Sequence, residues 1–225
     1  MQITILHTND VHSCFEEYGH LVSSMRQYAP EKTLVFDSGD FSDYRSVLIS
    51  GTYGLGGLEL LKYNHTNGEA IGNNEFFGGL DNLLKMINSG FPILSANLTL
   101  VDGSKIPGLK ECVLIEKQGI RFLVIATSPY FGPRPENQVF LKMEGLASHD
   151  PIADLRRILD TYKGQYDYSI LLSHQGYKHD LETVQQLKDL DLILGGHSHT
   201  LLTQPVISGK TLIAQSGAFG KNYLK

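Results

Sequence analysis

Ile3-Thr4-Ile5-Leu6-His7-Thr8-Asn9-Asp10-Val11-His12 begins as a β-prone run and ends with a carboxylate and an imidazole two residues apart. Four later segments repeat the arrangement. Thr33 to Phe36 leads into Asp37-Ser38-Gly39-Asp40, and Glu69 to Ile71 leads into Gly72-Asn73-Asn74-Glu75. Ser169 to Leu172 leads into Ser173-His174, and Leu192 to Leu194 leads into Gly195-Gly196-His197-Ser198-His199. In open α/β sheets the carboxyl ends of the strands face a shared crevice, so residues distant in sequence converge there. A single Asp after a strand is an ordinary turn or helix cap, and a single histidine is an ordinary hydrogen-bonded side chain. Five such clusters in series point instead to a metal site.

Outward from these runs, the chain alternates strand and helix patterns. Further strands are predicted at Pro92 to Ala96, Cys112 to Glu116, Arg121 to Ala126 and Thr211 to Ala214. Helices are predicted at Leu21 to Tyr28, Leu55 to Lys62, Leu80 to Ile87, Ile152 to Tyr162 and Leu181 to Leu187. Lys117-Gln118-Gly119 reads as a hairpin, so part of the sheet structure is antiparallel. Ser128 to Asp150, with three prolines and two glycines, reads as a long surface excursion. Gly54-Leu55-Gly56-Gly57 lacks a preceding strand and reads as a helix start or lid, not a dinucleotide fingerprint. The class is α/β with mixed sheets.

Composition narrows the chemistry. The 225 residues are 41% hydrophobic, enough for one sizeable domain core. Nineteen Lys+Arg against 24 Asp+Glu give a net charge of -5, which disfavours a nucleic-acid polymer as partner. Cys14 and Cys112 lie far apart with no CxxC, so thiolate metal sites and disulfide frameworks are not indicated. The start carries no leader pattern and no apolar run approaches about 18 residues, which predicts a cytoplasmic address and no membrane partner.

The candidate donors are Asp10, His12, Asp40, Asn73, His174, His197 and His199, more than one four-coordinate ion uses. Two divalent ions sharing a carboxylate account for them. The oxygen and nitrogen set suits Mn, Zn, Fe or Co, and Mg less naturally. If the Gly196–His199 segment is extended, His197 and His199 project similarly. His7 reads as structural, Glu75 as a hydrogen-bonding partner of a ligand loop, Cys14 as an inert thiol, and His20, His65, His149 and His179 as solvent-exposed.

These blocks, in this order, resemble the calcineurin-like metallophosphoesterases. Leu6-His7-Thr8-Asn9-Asp10-Val11-His12-Ser13 and Gly195-Gly196-His197-Ser198-His199-Thr200 are similar to the 5'-nucleotidase and UDP-sugar hydrolase branch. The resemblance runs from residue 3 to the end. It implies a four-layer α/β/β/α sandwich, two mixed β-sheets flanked by helices, with residues 1–225 as catalytic domain and a C-terminal substrate-specificity domain beyond it. It also implies one ion on Asp10, His12, Asp40 and His199, and a second on Asp40, Asn73, His174 and His197, with Asp40 as bridge. The implied reaction is in-line attack of a metal-bridging hydroxide on a nucleotide or other small phosphate ester or anhydride.

One block departs from the family pattern. Where the family commonly reads Gly-Asn-His-Glu-Phe-Asp, this chain reads Gly72-Asn73-Asn74-Glu75-Phe76-Phe77. Asn74 stands in place of the catalytic histidine and has no titratable proton near neutral pH. Substrates with acidic leaving groups should therefore fare relatively better. Two competing readings follow: a metal-binding regulatory or scaffold domain with little turnover, and a phosphodiesterase or protein phosphatase of the same superfamily.

Overall fold

The computed structural model describes residues 2–225. β1 (Thr4–Thr8), β2 (Thr33–Asp37), β3 (Gly68–Ala70) and β4 (Ile93–Leu94) pair in that order, each neighbouring pair parallel. Parallel neighbours require crossovers. These are α1 (Phe15–Met25), the pair α2 (Val47–Gly51) and α3 (Leu55–Tyr63), and α4 (Leu80–Ile87). This sheet becomes mixed through an antiparallel bridge between His7 and Leu224 at its β1 edge.

The second half of the chain carries β5 (Leu98–Leu100), β6 (Cys112–Lys117), β7 (Ile120–Thr127), α5 (Val139–Met143), β8 (Leu146–Ser148) and α6 (Ile152–Thr161). It continues with β9 (Tyr168–Ser173), α7 (Tyr177–Gln186), β10 (Leu192–Gly195), β11 (Val206–Ser208) and β12 (Thr211–Gln215). The second sheet runs β11-β12-β10-β9-β7-β6, parallel in its centre and antiparallel at both edges. β5 and β8 form a separate antiparallel ribbon.

Alternation along the strands stacks the layers. Phe122, Val124 and Ala126 of β7, Ile170 and Leu172 of β9, and Leu194 of β10 pack with Leu34, Phe36, Ala70 and Leu94 of the first sheet. Their neighbours Leu123, Ile125, Leu171 and Ile193 pack with Leu155, Ile158 and Leu159 of α6 and Val184 of α7. On the other side, Tyr18, Val22, Leu58, Leu61, Leu83 and Met86 from α1, α3 and α4 make the outer core. The order is helix, sheet, sheet, helix. Among the described residues no helix is long and apolar enough to cross a membrane.

Several element boundaries move. α1 occupies Phe15–Met25 instead of Leu21 to Tyr28, because Tyr18, Val22 and Met25 form its buried face and Cys14 gives no side-chain cap to mark its start. α7 begins at Tyr177, four residues before the predicted Leu181, after Gly176 at φ 90. The Pro92 to Ala96 strand is only Ile93–Leu94. The excursion from Ser128 to Asp150 contains a 3-10 turn at Pro135–Gln138, α5 and β8. The hairpin forms as predicted, with Gln118 and Gly119 at φ 54 and 77 between Lys117 and Ile120. Two consecutive positive φ values are the signature of a tight turn matched to strand twist.

Candidate metal centre

The predicted donors lie at the carboxyl ends of both sheets. Asp10 and His12 follow β1, Asp40 follows β2, Asn73 follows β3, His174 follows β9, and His197 and His199 follow β10. The backbone joins the first two loops: Asp10 N–H donates to Gly39 O (2.9 Å) and His12 N–H to Asp40 O (2.9 Å). Close approach of loops from opposite sheets needs absent side chains. A Cβ on Gly39 would stand 2.8 Å from His174 Nδ1, and one on Gly196 would stand 2.8 Å from Ser38 O.

Asp10, His12, Asp40, His197 and His199 all have φ between 49 and 71, the left-handed region. Such conformations cost energy in residues other than glycine and persist where surrounding structure enforces them, often at functional sites. The Gly196–His199 segment is therefore not extended, contrary to the sequence expectation. His197 and His199 separate: the first lies 5.1 Å ring to ring from His174, the second 5.0 Å from His12.

Two compact donor groups share Asp10: Asp10, His12 and His199 in one, and Asp10, Asp40 and His174 in the other. Asp10 Oδ1 lies 3.4 Å from His199 Nε2, 3.8 Å from His12 Nε2 and 3.9 Å from His174 Nε2. Asp40 also reaches both sides, 3.4 Å from His174 Nε2 and 3.8 Å from His12 Nε2. Asp10 is thus common to both clusters, and Asp40, within reach of both His12 and His174, lies between them too.

His174 is fully buried, and its Nδ1 lies 2.6 Å from Ser38 O. Donation from Nδ1–H to Ser38 O orients the ring and turns Nε2, which has no hydrogen-bond partner, toward the carboxylates. Asn73 Oδ1 is likewise buried and unpartnered. Burial works against charge on His174, yet the Asp40 and Asp10 carboxylates overcome it and push its pKa up to about 10. For Asp40 burial acts upward, but the adjacent His174 outweighs it and holds the carboxyl below the usual carboxylate range. Burial and the neighbouring His174 push His197 down to about 4. Two buried carboxylates, which draw positive charge onto His174, face an unpartnered imidazole nitrogen and an unpartnered amide oxygen, a donor set that fits divalent cations.

Supporting residues lock this arrangement. Glu75, fully buried, accepts from Gly72 N–H (2.8 Å), Asp40 N–H (2.9 Å) and Ser42 N–H (3.1 Å), tying the β2 loop to the β3 loop. His7 Nε2 lies 2.9 Å from Ser38 Oγ, and burial drives its pKa down to about 3. Asn74 donates from Nδ2 to Asp40 Oδ2 (2.7 Å) and from its backbone to Asp40 Oδ1 (2.7 Å), so its side chain engages the candidate ligand itself. Cys14 is half-buried, and burial raises its thiol. His20, His65, His149 and His179 are exposed.

The sequence alone did not single out Asn9 or Phe219. Asn9 Nδ2 donates to Asp10 Oδ2 (2.6 Å) and Gly217 O (2.7 Å), while its Oδ1 accepts from Ser216 N–H (2.9 Å). Phe219 N–H donates to Asp10 O (2.7 Å), and its ring lies 5.5 Å from His12 and 5.1 Å from His199. The Asn9 preceding Asp10 was the available signal; nothing marked Phe219.

Comparison with known proteins agrees with this geometry. The chain is 29% identical to the uncharacterized metallophosphoesterase YunD of Bacillus subtilis, over 97% of the chain and 48% of that protein. It is 30% identical to a 5'-nucleotidase of Bos taurus, over 100% of the chain and 46% of that protein. In structure it superposes on the 5'-nucleotidase precursor of Thermus thermophilus with a TM-score of 0.82 at 22% identity, covering 99% of this chain and 50% of that one. The chain thus spans about half the length of the curated relatives it matches. With the sequence model for calcineurin-like phosphoesterases matching residues 3–201, the chain belongs to the calcineurin-like phosphoesterase family.

Proposed function

We propose that this chain hydrolyses phosphate esters or anhydrides of nucleotides at a centre of two divalent ions. The observation carrying the proposal is the convergence of Asp10, Asp40, His12, His174 and His199 from both sheets, with Asn73 Oδ1 and His174 Nε2 buried and unpartnered. Likeness to 5'-nucleotidases supports nucleotides as the substrate class. Asp10, His12 and His199 would hold one ion, and Asn73, His174 and His197 the other, with both carboxylates between them. Bound divalent ions supply a hydroxide nucleophile at neutral pH and neutralise phosphoryl charge.

The chain's own groups then set what can leave. Asn74 is tied to Asp40 through two hydrogen bonds and carries no proton to give the departing oxygen. A missing general acid costs about 10²- to 10⁴-fold, less when the leaving group is acidic. Anhydrides and activated esters are therefore favoured over a simple monoester.

Mn²⁺-dependent phosphate release from AMP, ADP and UDP-glucose, the last scored by its split products, tests the proposal beside an Asp40→Ala control. Metal-dependent turnover that disappears with Asp40 is the expected result; turnover indifferent to Asp40 refutes it. Asn74 held on Asp40, with Phe77 where the family has aspartate, favours the second reading of a metal-binding domain with little turnover. Metal binding without any product in that assay selects it.

A further inference from the structure

His7 and Ser38, both buried, join the two sheets beside the metal centre. His7 lies on β1, and Ser38 opens the loop that runs from β2 to Asp40. Ser38 Oγ–H donates across the layers to Leu194 O of β10 (2.6 Å). A hydroxyl has one proton, so toward His7 Nε2, 2.9 Å away, Ser38 Oγ is the acceptor. That puts the His7 ring proton on Nε2 and leaves Nδ1 bare, in keeping with a buried Nδ1 that has no partner among the described residues. Donation therefore runs from His7 Nε2–H to Ser38 Oγ, and from Ser38 Oγ–H to Leu194 O.

The backbone of the same serine holds a candidate ligand, since Ser38 O accepts from His174 Nδ1–H (2.6 Å). Gly196 packs against that carbonyl, and its N–H donates to Ser173 O (2.8 Å), the residue before His174. His197 follows Gly196 directly. One residue of the first sheet's loops thus grips, through side chain and carbonyl, the strand ends that carry His174 and His197. Among the described residues, no hydrogen bond joins His7 or Ser38 to Asp10, His12 or His199.

We infer that His7 and Ser38 are a positioning unit for the half of the centre built from Asn73, His174 and His197, His7 acting through Ser38 and Ser38 through His174. The inference rests on the two-ion reading for that grouping of ligands. A ligating imidazole takes its orientation from the partner of its other nitrogen. Here the partner is a carbonyl whose own place is set by a side chain bonded to the opposite sheet. Neither residue touches substrate or a reacting atom.

Two measurements test it. The first is Mn²⁺ titration calorimetry on the parent, Ser38→Ala, His7→Phe and His7→Gln, the last keeping a side-chain N–H for Ser38 Oγ. Loss of an outer partner of a ligating histidine typically lowers metal affinity about 10- to 100-fold. Ser38→Ala and His7→Phe should show that loss at one of the two ions and leave the other within about threefold, and His7→Gln should recover most of it. Equal loss at both ions marks a merely structural role and overturns the inference, as do a Ser38→Ala or His7→Phe protein that binds like the parent and a His7→Gln as weak as His7→Phe. The second measurement is ring ¹⁵N–¹H NMR in chelator. The parent should show His7 protonated on Nε2 and a slowly exchanging Nδ1–H on His174, with faster exchange at His174 in Ser38→Ala and His7→Phe. His7 protonated on Nδ1, or exchange at His174 indifferent to both substitutions, overturns the inference. A parent that binds fewer than two ions counts against the two-ion reading, and the ring protons, which need no ion, then decide the positioning role by themselves.

Discussion

Replacing Asn9 with alanine tests whether the loop after β12 belongs to the metal centre. Asn9 is 2% exposed, and its amide makes the bonds that tie Ser216 and Gly217 to the first ligand loop. Truncation leaves Ser216 N–H and Gly217 O without partners. Each buried unsatisfied group costs about 1–3 kcal/mol, so a middle value for the two gives a loss of about 4 kcal/mol. For a chain of this size 1 kcal/mol moves the melting temperature by about 2–4 °C, so Asn9→Ala should melt about 8–16 °C lower. The same bonds place Phe219 against His12 and His199, and Asn9 also donates to Asp10. Losing a group that orients a ligand typically lowers metal affinity about 10- to 100-fold. Calorimetric melting in chelator and Mn²⁺ titration read the two effects independently. A variant that melts within about 2 °C of the parent and binds Mn²⁺ within about threefold refutes the reasoning.

Asn74→His restores an acid beside the leaving group and should raise the AMP rate relative to ADP; an unchanged ratio in a steady-state assay argues that leaving-group acidity is not what Asn74 controls. Asp180 is fully buried, and burial, only partly offset by Ser173 Oγ–H and His174, raises its pKa to about 7. The folded state therefore keeps a proton that the unfolded chain releases near pH 4. Its contribution to stability is full below about pH 4 and is lost as pH rises through about 7. Urea midpoints of the parent relative to Asp180→Asn should fall between pH 5 and pH 8, and parallel pH profiles would contradict the assignment. Gly39→Ala would meet both a φ of 91 and the His174 ring, so metal affinity and stability should drop together, as fluorescence-monitored unfolding with and without Mn²⁺ would show.

Strand-end chemistry was the legible part of this chain. Asp10, Asp40, Asn73, His174 and His197 each follow a β-prone run closely, and a parallel sheet centre must deliver such residues to one edge. The inner and outer faces of β7 could likewise be read from Arg121 to Ala126 once two packed sheets were expected. Other features had no local signature. Positive φ at His197 and His199 is imposed by tertiary contacts, including His197 N–H on Asp10 Oδ2 (2.9 Å), and histidine does not announce it as glycine would. Phe77 meets Phe140 across 63 positions, and Phe219 reaches Asp10 across 209 positions. The start of α1 was misplaced because Cys14 offers no capping hydrogen bond.

The candidate ligands divide between the two layers: Asp10, His12, Asp40 and Asn73 belong to the first sheet, and His174, His197 and His199 to the second. A bound ion pair would therefore act as a rivet through the sandwich. Sites of this kind work only when their groups are held within about 0.5 Å, so any slippage between the layers would be read directly as weakened coordination. The filling between them then acquires a tuning role. Ala70 and Ala126, both fully buried there, set how closely the layers approach, and enlarging either should change metal affinity without touching a ligand.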